Sequence, residues 1–212
     1  DDRSINVWDL AKIKPFAFID SLNSHQDTIT CLAVFPRKKN QDGEQEEALR
    51  VVSGSKDKTI MVWLVTSSVS KKFLSFALQG HTGPVNSILL YLASEEFVVS
   101  SSNDQTIRTW KISEMDGRQW NSISTNPSNV TDMVLFKNGI ILTGDNNKNL
   151  ILWNLKEKNP EKKCVAILNS PIRRVFLSPD ERILIVYLES QIMQIWDCKN
   201  PIKLCPIKEL PI

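Results

Sequence analysis

Strand-length apolar runs, separated by polar clusters, recur along the whole chain, and no stretch holds apolar residues at the helical interval. The runs come in a fixed order. The most apolar predict a first strand at 30–35, 86–91, 131–136 and 173–178. A second strand is predicted at 49–54, 97–101, 140–144 and 183–188. Turn residues such as Ser55-Lys56-Asp57 and Asn103-Asp104 then lead into a third run, rich in β-branched residues and closed by an aromatic. Two such runs about a polar turn predict a hairpin. A fourth, more polar strand is predicted at 16–22, 73–78, 119–123, 163–168 and 202–207.

The third strands carry the clearest repeat. Trp8, Trp63, Trp110, Trp153 and Trp196 stand 55, 47, 43 and 43 residues apart. They close the phrases DRSINVW, DKTIMVW, DQTIRTW, NKNLILW and SQIMQIW. The first three phrases begin with Asp, and the first four place Ile or Leu three residues before Trp. Trp120 stands outside the register. The long first spacing has a local cause. The polar segment 37–47, RKKNQDGEQEE, interrupts the hairpin between the first two strands of its unit and reads as a solvated loop.

Other residues join these phrases. Gly80-His81 opens one unit, and Ser24-His25 takes the matching place in the unit before. Trp8-Asp9 and Trp196-Asp197 form a Trp-Asp dipeptide, and Ser178-Pro179-Asp180 reads as the turn between the first two strands of the last unit. The pattern resembles the WD40 repeat family over almost the whole chain. In that family each repeat of ~40–45 residues forms one four-stranded blade of a β-propeller. The resemblance implies an all-β propeller domain with half a blade, its third and fourth strands, at 1–22. Full blades would follow at 28–79, 84–123, 129–168 and 171–208. These make about four and a half blades, so the resemblance further implies part of a larger ring of about seven, with a compact five-bladed ring holding one incomplete blade as the alternative.

The resemblance also implies a hydrogen-bonded tetrad inside a blade: a His before the first strand, a hydroxyl on the second, the hairpin Asp and the Trp. One set is His25, Ser53, Asp57 and Trp63, and another is His81, Ser100, Asp104 and Trp110. Buried groups of these types each need a partner, and one connected network supplies them all. Later units depart from the pattern. Thr143, Asn147 and Trp153 remain, but Asn126 takes the His position, while the last unit has Val186 and Ser190. Those blades are expected to rest on apolar packing and to be locally less stable. Ser, His and Asp together also spell a nucleophile triad. Here they recur at the repeat period beside Trp, with no nucleophile-elbow sequence. No catalytic residue is assigned, and the chain is read as non-enzymatic.

Composition narrows the function. Lys and Arg number 26 against 24 Asp and Glu, a net charge of +2 that excludes a dominant basic or acidic arm. The four Cys form no close pair and there are two His, so neither a metal site nor a cofactor is expected. No apolar run approaches the ~20 residues of a bilayer span. The opening Asp1-Asp2-Arg3 has no apolar segment behind it, and free thiols suit a reducing compartment. An intracellular location, cytoplasmic or nuclear, is expected.

By analogy of fold, the resemblance implies a scaffold or adaptor that binds a protein or peptide within a multiprotein complex. Family contact positions flank the start of the first strand or precede the tetrad Asp. They map to Thr28, Thr30 and Lys56; Pro84, Asn86 and Asn103; Asn129, Thr131 and Asn146; and Pro171, Arg173 and Glu189. Arg173 is the strongest single anchor, because Arg is enriched at binding hot spots. Two narrower readings stand beside this one. A ubiquitin-ligase substrate receptor would carry a motif ending Trp-Asp-x-Arg. Trp153-Asn154-Leu155-Lys156 and Trp196-Asp197-Cys198-Lys199 end in Lys instead. A ribonucleoprotein component would need a basic, aromatic-bearing face. Lys156, Lys158, Lys162 and Lys163 cluster, but Glu157 and Glu161 interrupt them. Arg173-Arg174 lies inside a first strand and does not match a paired-Arg lipid motif.

Overall fold

The computed structural model describes residues 3–9, 17–36, 48–66, 75–93, 95–112, 119–124, 128–157, 162–200 and 204–211. Every regular element among them is a β-strand. A two-stranded sheet pairs β1 (Ser4–Asp9) with β2 (Ala17–Asn23). Four four-stranded antiparallel meanders follow. The first holds β3 (Ile29–Val34), β4 (Ala48–Ser55), β5 (Ile60–Thr66) and β6 (Ser75–Leu78). The second holds β7 (Val85–Leu92), β8 (Glu96–Ser102), β9 (Thr106–Lys111) and β10 (Gln119–Ser124). The third holds β11 (Val130–Leu135), β12 (Ile140–Asp145), β13 (Asn149–Asn154) and β14 (Lys163–Ile167). The fourth holds β15 (Ile172–Leu177), β16 (Ile183–Leu188), β17 (Ile192–Asp197) and β18 (Cys205–Pro211). These sheets have the four-stranded meander of propeller blades and pack against one another in chain order.

The core does not lie inside any one blade. Each of its four apolar clusters fills the seam between consecutive blades. Leu22 meets Val51, Trp63 and Val65 in the first seam. Val52, Ile60 and Val62 meet Val85, Ile88, Val98 and Trp110 in the second. Val99 and Ile107 meet Met133, Ile141 and Trp153 in the third, and Leu142, Leu150 and Leu152 meet Val175, Leu184, Val186 and Trp196 in the fourth. The central strands therefore bury both faces. In β8 and β12 the last five residues are all buried, which explains why their sequences read as continuous apolar or small-residue runs.

Close approach to the following blade needs a small residue at one place on the second strands of the first three blades. A Cβ on Gly144 would lie 2.4 Å from Ile172 Cγ2, and one on Gly54 would lie 2.7 Å from Val85 Cγ1. Ser101 fills the matching position of the second blade. Tyr187 fills it in the fourth.

Two apolar faces lie open at the ends of the stack. Leu32 and Val34 are 52% and 51% exposed on the first blade, paired with Ser53 and Val51 and so turned toward the β1–β2 side. Phe176 is 55% exposed and pairs with Ile185 on the outer face of the fourth blade.

Each first strand begins one residue earlier than the sequence pattern implied, because its register slips. The slip falls between Ile29 and Cys31, Val85 and Ser87, Val130 and Asp132, and Ile172 and Arg174. The skipped residue of this β-bulge is Thr30, Asn86, Thr131 or Arg173, which no longer follows the apolar alternation. The final strand lies at 205–211, later than the expected 202–207. Its polar outer-edge sequence carries no alternation, and Pro206 is tolerated opposite Trp196 at a register slip on that edge.

Candidate interaction face and the buried tetrads

His25, Ser53, Asp57 and Trp63 come together in the first blade. The ring Nδ1 lies 2.9 Å from Asp57 Oδ2, and Nε2 lies 2.7 Å from Ser53 Oγ. Trp63 Nε1 donates to the same hydroxyl at 2.8 Å. The network assigns the tautomer: Nδ1–H donates to the carboxylate, while Nε2 accepts the Ser53 proton. The second blade repeats this. His81 Nδ1 lies 2.7 Å from Asp104 Oδ2, its Nε2 lies 2.8 Å from Ser100 Oγ, and Trp110 Nε1 donates to Ser100 at 2.9 Å.

This is the order of groups in a nucleophile triad, but not its setting. Ser53 and Ser100 are fully buried, and each hydroxyl oxygen already accepts an indole N–H. No substrate carbonyl has room beside them. The network serves the fold by joining the loop before the first strand to the hairpin and the Trp.

Two members escaped the sequence reading. Thr59 Oγ1 donates to Asp57 Oδ1 at 2.6 Å, and Thr106 Oγ1 does the same to Asp104 at 2.6 Å. The signal was the repeated Asp-x-Thr. Burial alone would raise both carboxyl pKa values. The hydrogen bonds from Thr59 and Gln26, or from Thr106, His81 and Thr82, outweigh it and hold them below the ordinary 3.8. Burial lowers the His81 pKa below 6.5, although Asp104 pulls the other way.

The later blades make reduced versions. Trp153 Nε1 donates to Thr143 Oγ1 at 3.0 Å, and Asn147 Nδ2 donates to Ser128 Oγ at 3.1 Å. Ser128 was not anticipated, and Asn126 lies outside the described residues. Asp145, fully buried, also went unnoticed. It accepts from Asn149 N at 2.8 Å where the earlier blades have Ser55 and Ser102. In the last blade Val186 supplies no acceptor, and the buried Trp196 Nε1 has no partner among the described residues.

The twelve residues mapped as contact positions form four matched sets on one rim. The hairpin residue donates its backbone N–H to the carbonyl just before the first strand. Lys56 bonds Thr28 at 2.9 Å, Asn103 bonds Pro84 at 2.9 Å, Asn146 bonds Asn129 at 3.2 Å and Glu189 bonds Pro171 at 2.9 Å. The bulge residue then reaches across the seam. Thr30 Oγ1 donates to Val85 O at 2.6 Å, Asn86 Nδ2 to Val130 O at 2.7 Å and Thr131 Oγ1 to Ile172 O at 2.7 Å. Each bond ends on the first residue of the next blade's inner strand. Three of the mapped positions are thus blade-to-blade latches as well as rim residues.

One layer deeper a second relay runs the same way. Ser87 Oγ donates to Asp132 Oδ1 at 2.8 Å, and Val175 N donates to Asp132 Oδ2 at 3.0 Å. Asp132, 8% exposed, thereby joins three blades, with Arg174 Nη1 3.9 Å from its Oδ1. Cys31 fills the matching place in the first blade, and burial pushes its thiol pKa up to about 11, leaving it protonated.

The rim encloses a concavity of about 550 Å³. Thr28, Thr30, Asn86, Asn103, Thr131 and Arg173 line it, together with Ile29 and Arg174. Lys56, Pro84, Asn129, Asn146, Pro171 and Glu189 stand outside that lining.

The family model described as WD domain, G-beta repeat, matches residues 16–63 and 72–111. Those two segments are WD40 repeats. The chain's repeats are 33% identical over 107 residues to nuclear distribution protein PAC1 of Komagataella phaffii, covering 50% of this chain and 19% of that protein. They are 27% identical over 128 residues to mitochondrial division protein 1 of Schizosaccharomyces pombe, covering 52% and 17%. Ribosome biogenesis protein YTM1 of Saccharomyces cerevisiae is 29% identical over 115 residues, covering 54% and 21%. The matched WD40 segments thus span only about a fifth of these relatives. Their names describe unrelated cellular roles, so the likeness carries the repeat and not a task. No helix among the described residues is long and apolar enough to cross a membrane.

Proposed function

We propose that the chain is a non-catalytic interaction module, a scaffold or adaptor that holds a protein partner on its rim within a multiprotein complex. The observation that carries this reading is the convergence of six mapped contact positions on one 550 Å³ concavity, a volume in the range of built ligand clefts (~300–1,000 Å³). The sealed hydroxyls of the tetrads favour binding over catalysis. We further propose that these blades belong to a larger ring. The exposed Leu32, Val34 and Phe176 support this, since an end blade without a cap leaves an apolar face in water.

The test is site-specific photo-crosslinking in cells, with the full-length protein. A photoreactive residue is placed at Thr28 or Asn103, or at Lys137 or Lys199 at the opposite ends of the strands. A discrete set of proteins crosslinked from the rim alone is the expected result. Equal capture from both ends, or none from the rim, would overturn the proposal.

A further inference from the structure

The concavity offers a ligand hydrogen-bond donors and positive charge, with no anionic side chain among the described residues that line it. Thr30 and Thr131 direct their hydroxyl protons at backbone carbonyls, and Asn86 Nδ2 bonds both Val130 O and Asn103 Oδ1. Those groups set the walls. Asn103 is held through its oxygen, and its NH₂ has no partner among the described residues. Arg173 breaks the latch pattern. The three earlier bulge positions are short side chains that bond the next blade, whereas Arg173 is exposed and has no hydrogen bond or ion pair among the described residues. Arg174 stands beside it, half-exposed, with Asp132 3.9 Å away. That carboxylate is already occupied by Ser87 and Val175 N, so it does not neutralise both guanidinium groups. The rim acids Asp27 and Glu189 lie outside the lining, and Asp27 accepts from Thr28 N at 2.6 Å.

A guanidinium fork matches a carboxylate in a bidentate pair, and the charge-assisted bond is about twice as strong as a neutral one. From the donor set we infer that the concavity receives an acidic peptide segment, with an Asp or Glu carboxylate held by Arg173 and Arg174 and oriented by the Asn103 amide. This rests on the reading of the rim as a protein-binding face and adds the chemistry of the partner.

The test measures fluorescence polarisation of the full-length protein with short Gly-Ser peptides carrying a central Asp-Glu-Asp run. Parallel arms use the Asn-Gln-Asn counterpart and a phosphoserine counterpart. The acidic peptide should bind at least about tenfold tighter than its amide counterpart, with affinity falling as salt rises. Arg173→Ala should weaken it about tenfold, and Arg173→Lys should not restore it, because Lys lacks the fork. Arg182→Ala, on an exposed side chain at the opposite ends of the strands, should leave it unchanged. Both target arginines are exposed, so the variants keep their fold, checked by circular dichroism. Equal binding of the acidic and amide peptides, indifference to Arg173→Ala, or binding of the phosphorylated peptide alone would each overturn the inference. Rim-specific crosslinks alongside any of those results would leave the interaction-module reading standing and sink only the acidic-peptide assignment.

Discussion

Ser53 is the place where the repeat's polar network is most exposed to a single change. Ser53→Ala removes one oxygen that holds two buried groups, His25 Nε2 at 2.7 Å and Trp63 Nε1 at 2.8 Å. Neither can reach water, because Ser53 is fully buried and His25 and Trp63 nearly so. Each orphaned buried group costs about 1–3 kcal/mol, so the variant should lose about 2–5 kcal/mol after partial relaxation. The third blade supplies a graded comparison. Thr143→Val orphans Trp153 Nε1, removes a longer bond of 3.3 Å to Ile151 O, and should cost about 1–3 kcal/mol. The fourth blade supplies the converse, since Trp196 Nε1 is already without an acceptor. Val186→Thr places a hydroxyl where Thr143 stands and should stabilise its blade by about 0.5–1.5 kcal/mol. Native-state hydrogen exchange of the full-length protein reads all three, through the amides of β4–β5, β12–β13 and β16–β17 and the indole N–H of each Trp. Ser53→Thr, which keeps the oxygen, separates the lost bonds from lost packing. A Ser53→Ala effect below ~1 kcal/mol, or no larger than that of Thr143→Val, would refute the account of the tetrad as two bonds on one oxygen.

The seams give a second prediction: Gly144→Ala puts a Cβ 2.4 Å from Ile172 Cγ2, and should lower the midpoint of thermal unfolding and speed exchange in β12 and β15. Arg50 pairs with Glu96 of the next blade through two bonds, of 2.5 and 2.8 Å, while lying over the Phe35 ring. Arg50→Ala should cost about 1.5–3 kcal/mol in urea unfolding, an effect that high salt would reduce only slightly in so covered a pair. Acid should loosen the second blade in two steps. Folded His81 has a pKa below 6.5, so the unfolded chain takes up its proton first, and stability that is full above about pH 6.5 declines as pH falls through that value. Asp104, held below 3.8, adds a second loss as pH falls past 3.8 toward its folded pKa. The protection of amides in β7–β10, taken relative to their intrinsic exchange rate at each pH, reads both, and constant protection between about pH 7.5 and 5.5 would contradict the His81 assignment. Finally, the first two full blades should exchange more slowly than the last two, which lack the complete network; the reverse order would remove the stabilising role assigned to it.

What could be read from the sequence was whatever repeats in residue type. The Trp of each third strand, the Asp six before it in three of them and the His before two of the blades declared the sheets and the two tetrads, because these residue types recur at the repeat period. Geometry that the backbone enforces without a fixed residue type stayed hidden. Thr30, Asn86, Thr131 and Arg173 share a bulge and differ in chemistry, so their common position was legible only through the family, and the latch made by three of them was not legible at all. Ser87 and Asp132 share a layer with Cys31 and Arg174, and no pattern of polar and apolar residues joins those four. Ser128 was missed for a different reason: it supports the third blade's network from outside the usual motif, where an Asn side chain reaches a hydroxyl in place of an acid reaching a ring.

That contrast bears on where function resides. A position that must hold two blades together is constrained to short donors of fixed reach, as Thr30 and Thr131 show by bonding a carbonyl in their own blade and one in the next. Arg173 occupies the same backbone site with a side chain too long for the short bond those residues make, and its neighbour Arg174 stands where the earlier blades have Cys31, Ser87 and Asp132. Arg173 makes no such latch among the described residues, and with Arg174 it places two cations at the mouth of a concavity whose other walls are fixed by hydrogen bonds. If Arg173 served only to cap the open edge of the fourth blade, replacing it by Thr would restore the short latch to whatever blade lies beyond and raise stability without changing binding. Under the recognition role, Arg173→Thr should leave unfolding within about 0.5 kcal/mol, as expected of an exposed site, while acidic-peptide affinity falls about tenfold. The two measurements on one variant separate an architectural arginine from a recognition arginine.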